Sequence, residues 1–117
     1  VLKAIKKGNP RAILAYQIFI RRIADFIGQY FVRLGGADAI VFSAGIGENS
    51  DETRKMVIDE IKEALKIEMD DEINSAIHGE EAVISTTESK IKVIVIPTDE
   101  EIMIARDTYN ILLDKRR

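Results

Sequence analysis

The chain has 117 residues, 46% hydrophobic and 32% charged, a balance in the normal range for one soluble globular domain. Its formal net charge of −3 gives no electrostatic ground for a nucleic-acid partner, and with no cysteine there is no disulfide, thiolate metal site or cysteine nucleophile. The longest apolar run near the start, Ala12 to Ile20, is broken by Gln17 and followed by Arg21 and Arg22, far short of the roughly 20 residues a membrane span requires.

Asn9 and Pro10 form a cap and first-position pair for a long amphipathic helix. Tyr16, Phe19, Ile20, Ile23, Phe26, Ile27, Tyr30 and Leu34 follow at spacings that suit one helical face, until Gly35 and Gly36 stop it. Ala39 to Phe42 is a short apolar run without polar alternation, the pattern of a strand covered on both faces. After the segment "SAGIGENS", Asn49 or Ser50 can cap a second helix, which carries Val57, Ile61, Ala64 and Leu65 on one side and Asp51 and Glu52 near its positive end. Asp70 to Ile77 reads as a short helix and Ala82 to Ser85 as an extended segment. Lys92 to Ile96 is a second clear strand, ended by Pro97. Thr98 and Glu101 have capping-box spacing and open a last helix with Ile102, Ala105, Tyr109, Leu112 and Leu113 along one side; Lys115, Arg116 and Arg117 read as its solvated cationic end.

Two strands of this kind, each followed by a helix, predict a parallel pair in an α/β fold. Ligands of open α/β sheets bind outside the carboxyl ends of the strands, so "AGIGEN" and "PTDEE" should meet at one sheet edge. Gly45 and Gly47 would let a ligand approach the backbone closely, the helix start beyond them offers N–H groups to an anion, and Glu100 could join a Mg²⁺ shell. A helix-starting turn fits the same spacing, because the third glycine of the dinucleotide fingerprint and the Gly-Lys-Ser/Thr of the P-loop are both missing. His78 reads as a surface residue at a helix end, with no second histidine for a metal or relay site. Glu80 and Glu81 read as a solvated pair.

Taken together, "GGADAIVFSAGIGENS", "VIVIPTDEEIMIARDT" and the preceding "AYQIFIRRIADFIGQYFVRLGG" resemble the C-terminal signatures of the acetate/propionate kinase family, within the sugar kinase, Hsp70 and actin superfamily. The resemblance implies a partial ribonuclease-H-like (actin-like ATPase) domain, α-β-α-β-α, with a parallel strand pair and helices packed on the sheet. Residues 1–117 would be the C-terminal part of a nucleotide-binding domain, and Val1 in place of methionine leads to the expectation that the chain begins inside a longer one. It further implies a cytoplasmic homodimer that transfers a phosphoryl group reversibly between ATP and acetate with Mg²⁺. On that resemblance Gly45, Ile46, Gly47, Glu48 and Asn49 form the adenine-nucleotide segment, and Glu100 is the metal-associated glutamate. Asp99, where many relatives have asparagine, is expected to improve the helix start rather than the cation site. The family's transition-state arginine, histidines and N-terminal metal asparagine map to nothing here, and Arg11, Arg21, Arg22 and Arg33 do not match those motifs. No catalytic residue is assigned, acetate would be held by an absent N-terminal portion, and the chain alone is expected to be inactive. A non-catalytic binding module of the same fold, or a propionate kinase, is the alternative. The strand at Ala39 to Phe42 is expected to have an unpaired edge that favours self-association.

Overall fold

A computed structural model describes residues 1–114; the cationic end expected at 115–117 lies outside the described residues. The first element is a short helix not predicted from sequence, α1 (Leu2–Lys6). It leads into the long helix α2 (Pro10–Leu34), whose first turn is fixed as the sequence suggests. Asn9 Oδ1 accepts from Arg11 N at 3.0 Å and Ala12 N at 3.1 Å, and Pro10 occupies the first turn, where no intrahelical donor is needed. Gly35 ends α2 in the left-handed region at φ 72°, and Gly36 N returns to Phe31 O at 2.9 Å.

Three strands follow in the spatial order β1-β3-β2: β1 (Ala39–Phe42), β2 (Ala82–Val83) and β3 (Lys92–Val95). The β1–β3 pair is parallel, in register from Ala39 opposite Lys92 to Phe42 opposite Val95. The parallel pair matches the expectation. The extended segment near Ala82 adds an antiparallel third strand, with Ala82 opposite Val95, and a separate bridge joins Met69 to Ser85. Between β1 and β2 run α3 (Ala44–Asn49), α4 (Asp51–Leu65) and α5 (Asp71–Ala76), and α6 (Glu100–Asp114) follows β3.

The core forms where β3 meets α4 and the middle of α2. Val93 and Val95 of β3, Ile91 beside it, Val57, Ile58, Ile61 and Leu65 of α4, and Ile20 and Ala24 of α2 are all buried. Ile58 thus takes the inward position that the sequence reading gave to Ala64, which is exposed. Only part of the apolar stripe on α2 reaches this core. Tyr16, Ile23, Ile27 and Phe31 pack against it at half burial, while Phe26, Tyr30 and Leu34 stay exposed because α4 covers one side of the stripe.

Two expectations about covering are corrected. Strand β1 is at the edge of the sheet, and with Phe42 buried but Val41 49% exposed, only one of its faces is covered. Every residue of α6 from Glu100 to Leu113 is exposed, including Ile102, Tyr109, Leu112 and Leu113, so its apolar side rests on no other described element. Among the described residues, no helix is long and apolar enough to cross a membrane.

Candidate functional site

Phe42 and Val95 are the last residues of the two parallel strands, so the segments that leave them emerge side by side. The first was read from sequence as a glycine-containing turn ahead of the next helix. It is helical: α3 takes up all of Ala44–Asn49, with Ser43 extended before it. The chain turns from strand to helix at Ala44, which has φ 58°, and neither Gly45 nor Gly47 is left-handed. A left-handed alanine costs roughly 1–2 kcal/mol, so the strain at this turn is held by the surrounding structure. The two glycines have different surroundings. A Cβ on Gly47 would sit in ordinary contact with Phe42, 3.4 Å from its C, so Gly47 lies against the end of β1; a Cβ on Gly45 would meet nothing within 4 Å. The backbone at Gly45 therefore borders open space.

What holds this glycine-containing helix is the capture of its last carbonyls. Gly45 O accepts from Asn49 Nδ2 at 3.0 Å and Ile46 O from Ser50 N at 3.0 Å. Arg54 Nη1 donates to Gly47 O at 3.0 Å and to Glu48 O at 2.9 Å, and Gly79 N also donates to Glu48 O at 3.0 Å. The carbonyls from Gly45 to Glu48 near the C-terminus of α3 are thus each occupied. Ser50 also begins α4, its Oγ accepting from Thr53 N at 3.2 Å, which settles the choice between Asn49 and Ser50 as its cap.

Arg54 is fully buried. Beyond its bonds to α3, its Nε donates to Asn74 Oδ1 at 2.8 Å, and its Nη2 donates to Asn74 O at 2.9 Å and Ile77 O at 2.7 Å. Asn74, itself 2% exposed, donates from Nδ2 to Asp51 O at 3.1 Å. Burial lowers the Arg54 pKa from its usual value, and the Asp51 charge opposes that. Nothing in the sequence singled out Arg54, because a charged residue in the first turn of an amphipathic helix is read by default as solvated.

The second segment runs Ile96-Pro97-Thr98-Asp99 into α6. Ile96 N donates to Phe42 O at 2.9 Å, extending the parallel ladder by one bond. Thr98 then meets α3 directly, its N donating to Glu48 Oε1 at 2.7 Å and its Oγ1 lying 3.0 Å from the same oxygen. The Thr98 N–H, and to a lesser degree its hydroxyl, hold the Glu48 carboxyl below its ordinary value against the opposing effect of desolvation. The cap of α6 is Asp99, whose Oδ1 accepts from Ile102 N at 2.9 Å; the expected Thr98 and Glu101 box does not form, and the Thr98 hydroxyl donates to Glu48 Oε1. Asp99 thus acts on the helix start, as the sequence suggested, and Glu100 follows it, exposed in the first turn.

The structure therefore brings Glu48 and the segment leading to Glu100 together at one sheet edge. Among the described residues, no group of three or more acidic or histidine side chains could hold a metal alone. An exposed Glu100, beside an aspartate already engaged in capping, fits the Mg²⁺ mode in which one or two carboxylates share the ion with water and phosphate oxygens.

On its other side α3 borders an apolar cavity of about 360 Å³, formed by Ile46 with Val1, Leu2, Ala15, Tyr16 and Phe19. Its polar rim is ordered, with Tyr16 Oη 2.8 Å from Thr53 Oγ1, which lies 2.7 Å from Ser50 Oγ. Tyr16 and Phe19 were read from sequence as core alone, since a helical stripe carries no sign of a cavity beside it. His78 is exposed, with Nε2 3.5 Å from Asp51 Oδ1, and Glu80 and Glu81 are exposed as expected.

A mixed α/β sheet with a parallel pair, whose strand ends deliver a short helix and an acidic helix start to one edge, is the class of structure that fold and site define. Residues 1–106 match the acetokinase family, and the chain belongs to that family. It is 49% identical over 112 residues to an acetate kinase of Bacteroides thetaiotaomicron, covering 96% of this chain and 28% of that protein. It is also 49% identical over 112 residues to an acetate kinase of Clostridium novyi, covering 27% of it. Among solved structures, Porphyromonas gingivalis acetate kinase superposes with a TM-score of 0.82 at 47% identity over 94% of this chain, which is 27% of that one. A propionate kinase from Francisella tularensis gives 0.76 at 36% identity over 88% of this chain and 26% of its own. The chain thus spans little more than a quarter of the length of the curated relatives it matches.

Proposed function

We propose that this chain works as the nucleotide-binding part of an acetate kinase, which transfers a phosphoryl group reversibly from ATP to acetate and yields acetyl phosphate and ADP. The observation that carries the reading is the bridge between Glu48 and Thr98, which joins the "AGIGEN" helix to the segment bearing Glu100 at the carboxyl edge of a parallel pair. In this reading the backbone of Gly45, Ile46, Gly47, Glu48 and Asn49 lies along the nucleotide. The open space at Gly45 admits it, and the apolar cavity beside Ile46 has a size and lining that suit a flat ring. Glu100 would hold Mg²⁺ together with the nucleotide, and the ion would supply positive charge against the charge that develops during phosphoryl transfer. Similarity to relatives named acetate kinase supports the acetate reading; similarity to the Francisella propionate kinase favours propionate as the second.

The family's transition-state arginine, histidines and N-terminal metal asparagine match nothing in this chain, so the chain alone is expected to bind nucleotide weakly and to lack kinase activity. Acetate would be bound by a part of the enzyme not represented in this chain. The half-covered edge strand β1 and the exposed apolar side of α6 support self-association as a homo-oligomer, while the cytoplasmic location rests on the family resemblance alone; a strictly monomeric chain in sedimentation at high concentration would count against self-association. The reading is tested by titrating Mg-ADP while following backbone amides. Shifts centred on Gly45 to Asn49 and on Glu100 are expected. The absence of any shift at millimolar ligand would favour a non-catalytic module of the same fold.

A further inference from the structure

We propose that the side chain of Glu48 is a positioning residue, holding Glu100 at the distance from the nucleotide segment at which both can serve one Mg-nucleotide. The inference rests on the nucleotide reading for its purpose, but its physical content lies in how α6 is attached. Glu100 begins a helix whose described side chains are all exposed, so packing does not fix the direction in which α6 leaves the sheet. Two connections tie this segment to the body before Glu100: the ladder bond from Ile96 N to Phe42 O, and the pair of contacts from Thr98 to Glu48 Oε1. The first sets the end of β3. Beyond it come Pro97, which has no donor, and then Thr98, only two residues ahead of Glu100.

The acceptor is itself firmly held. Glu48 O takes hydrogen bonds from buried Arg54 and from Gly79 N, so the residue that presents the carboxylate is fastened to α4 and to the turn after α5. The Glu48 carboxylate thus reaches from a fastened backbone in α3 to the segment that bears the proposed cation ligand. Charge-assisted bonds of this type are shorter and stronger than neutral ones, and the 2.7 Å contact from Thr98 N has the length they show. The sequence resemblance counts Glu48 among the residues of the nucleotide segment. The geometry separates its two parts: the backbone belongs to α3, and the side chain belongs to the link with Glu100.

The test compares the chain with its Glu48→Ala, Glu48→Gln and Thr98→Val variants. In the ligand-free protein, exchange of the Thr98 amide should be about fivefold faster in Glu48→Ala and within about twofold of the parent in Glu48→Gln, whose amide oxygen still accepts. Unchanged exchange in Glu48→Ala overturns the proposal, whether or not the chain binds nucleotide. Affinities for ADP alone and for Mg-ADP supply the second reading: Glu48→Ala should weaken Mg-ADP about fivefold and ADP alone by less than about twofold. Equal weakening of both would assign Glu48 to the nucleotide and overturn its role toward the cation. If the parent chain binds neither ligand, the nucleotide reading fails and the exchange result alone decides the positioning role. Should Glu48→Ala not fold, Thr98→Val, which lacks the hydroxyl donor, should shift exchange and the Mg-ADP affinity in the same direction by about half as much on a logarithmic scale.

Discussion

Replacing Arg54 by methionine keeps most of the buried stem and removes the guanidinium, whose five bonds reach Asn74 Oδ1 and O, Gly47 O, Glu48 O and Ile77 O. Each lost bond is worth about 1 kcal/mol net, and an acceptor left buried without a partner costs about 1–3 kcal/mol. The bonds to Gly47, Glu48 and Ile77 are only part-buried, so water can reach some of these carbonyls, whereas the two at Asn74 are buried. A loss of about 3–5 kcal/mol follows, a large share of the roughly 5–15 kcal/mol that stabilises an ordinary domain. With a urea slope of about 2 kcal/mol per molar, the unfolding midpoint should fall by about 2 M. Arg54→Lys should lie close to Arg54→Met, because a single ammonium cannot reach α3 and α5 at once. The assay is urea unfolding followed by far-ultraviolet circular dichroism. A change below about 0.5 kcal/mol in Arg54→Met would refute the view that this buried guanidinium holds α3 to α5.

The remaining predictions concern the turn and its neighbours. Gly45→Ala places its Cβ in open space within a helix, so thermal stability should rise by about 0.5–1 kcal/mol while Mg-ADP affinity falls; a rise in stability with unchanged affinity would remove the nucleotide from this backbone. Ala44→Gly relieves a left-handed alanine and should stabilise the chain by about 0.5–1 kcal/mol in urea, whereas a loss of about 1 kcal/mol, the usual cost of glycine in a helix, would mean that no strain is stored there. The Glu48 carboxyl is held below its ordinary value of 4.5 by Thr98, so the stability it contributes is present above that value and lost as pH falls through its lower folded value. The Thr98 amide resonance should therefore titrate with a midpoint below 4.5; a midpoint at or above it would mean that the bond to Glu48 does not persist in solution.

Elements with a strong local signal were legible in the sequence: Asn9-Pro10 and Gly35-Gly36 bound α2, and β1 spans the predicted Ala39 to Phe42. The meeting of the two strand-end segments also followed, because a parallel register requires it. The helical state of Gly45–Asn49 did not follow, since a Gly-x-Gly pair reads locally as a turn. Here the helix is imposed by Arg54 and Gly79, which capture its last carbonyls from outside. The cap of α6 was misplaced by one residue for a related reason. Thr98 and Asp99 are both good capping types, and local spacing does not show that Thr98 meets Glu48, 50 residues earlier in the chain, while Asp99 caps the helix. The exposure of α6 and of half the α2 stripe was equally hidden, because apolar periodicity marks a face that can be covered without saying what covers it.

Adding Mn-ADP and recording paramagnetic broadening of the backbone amides tests most directly whether α3 and the start of α6 form one nucleotide–cation site. The account predicts broadening of Gly45 to Asn49 together with Thr98 to Glu101, centred on Glu100, and its loss when excess Mg-ADP displaces the probe. Broadening confined to either segment, or spread over acidic surface residues such as Glu80 and Glu81, would contradict it.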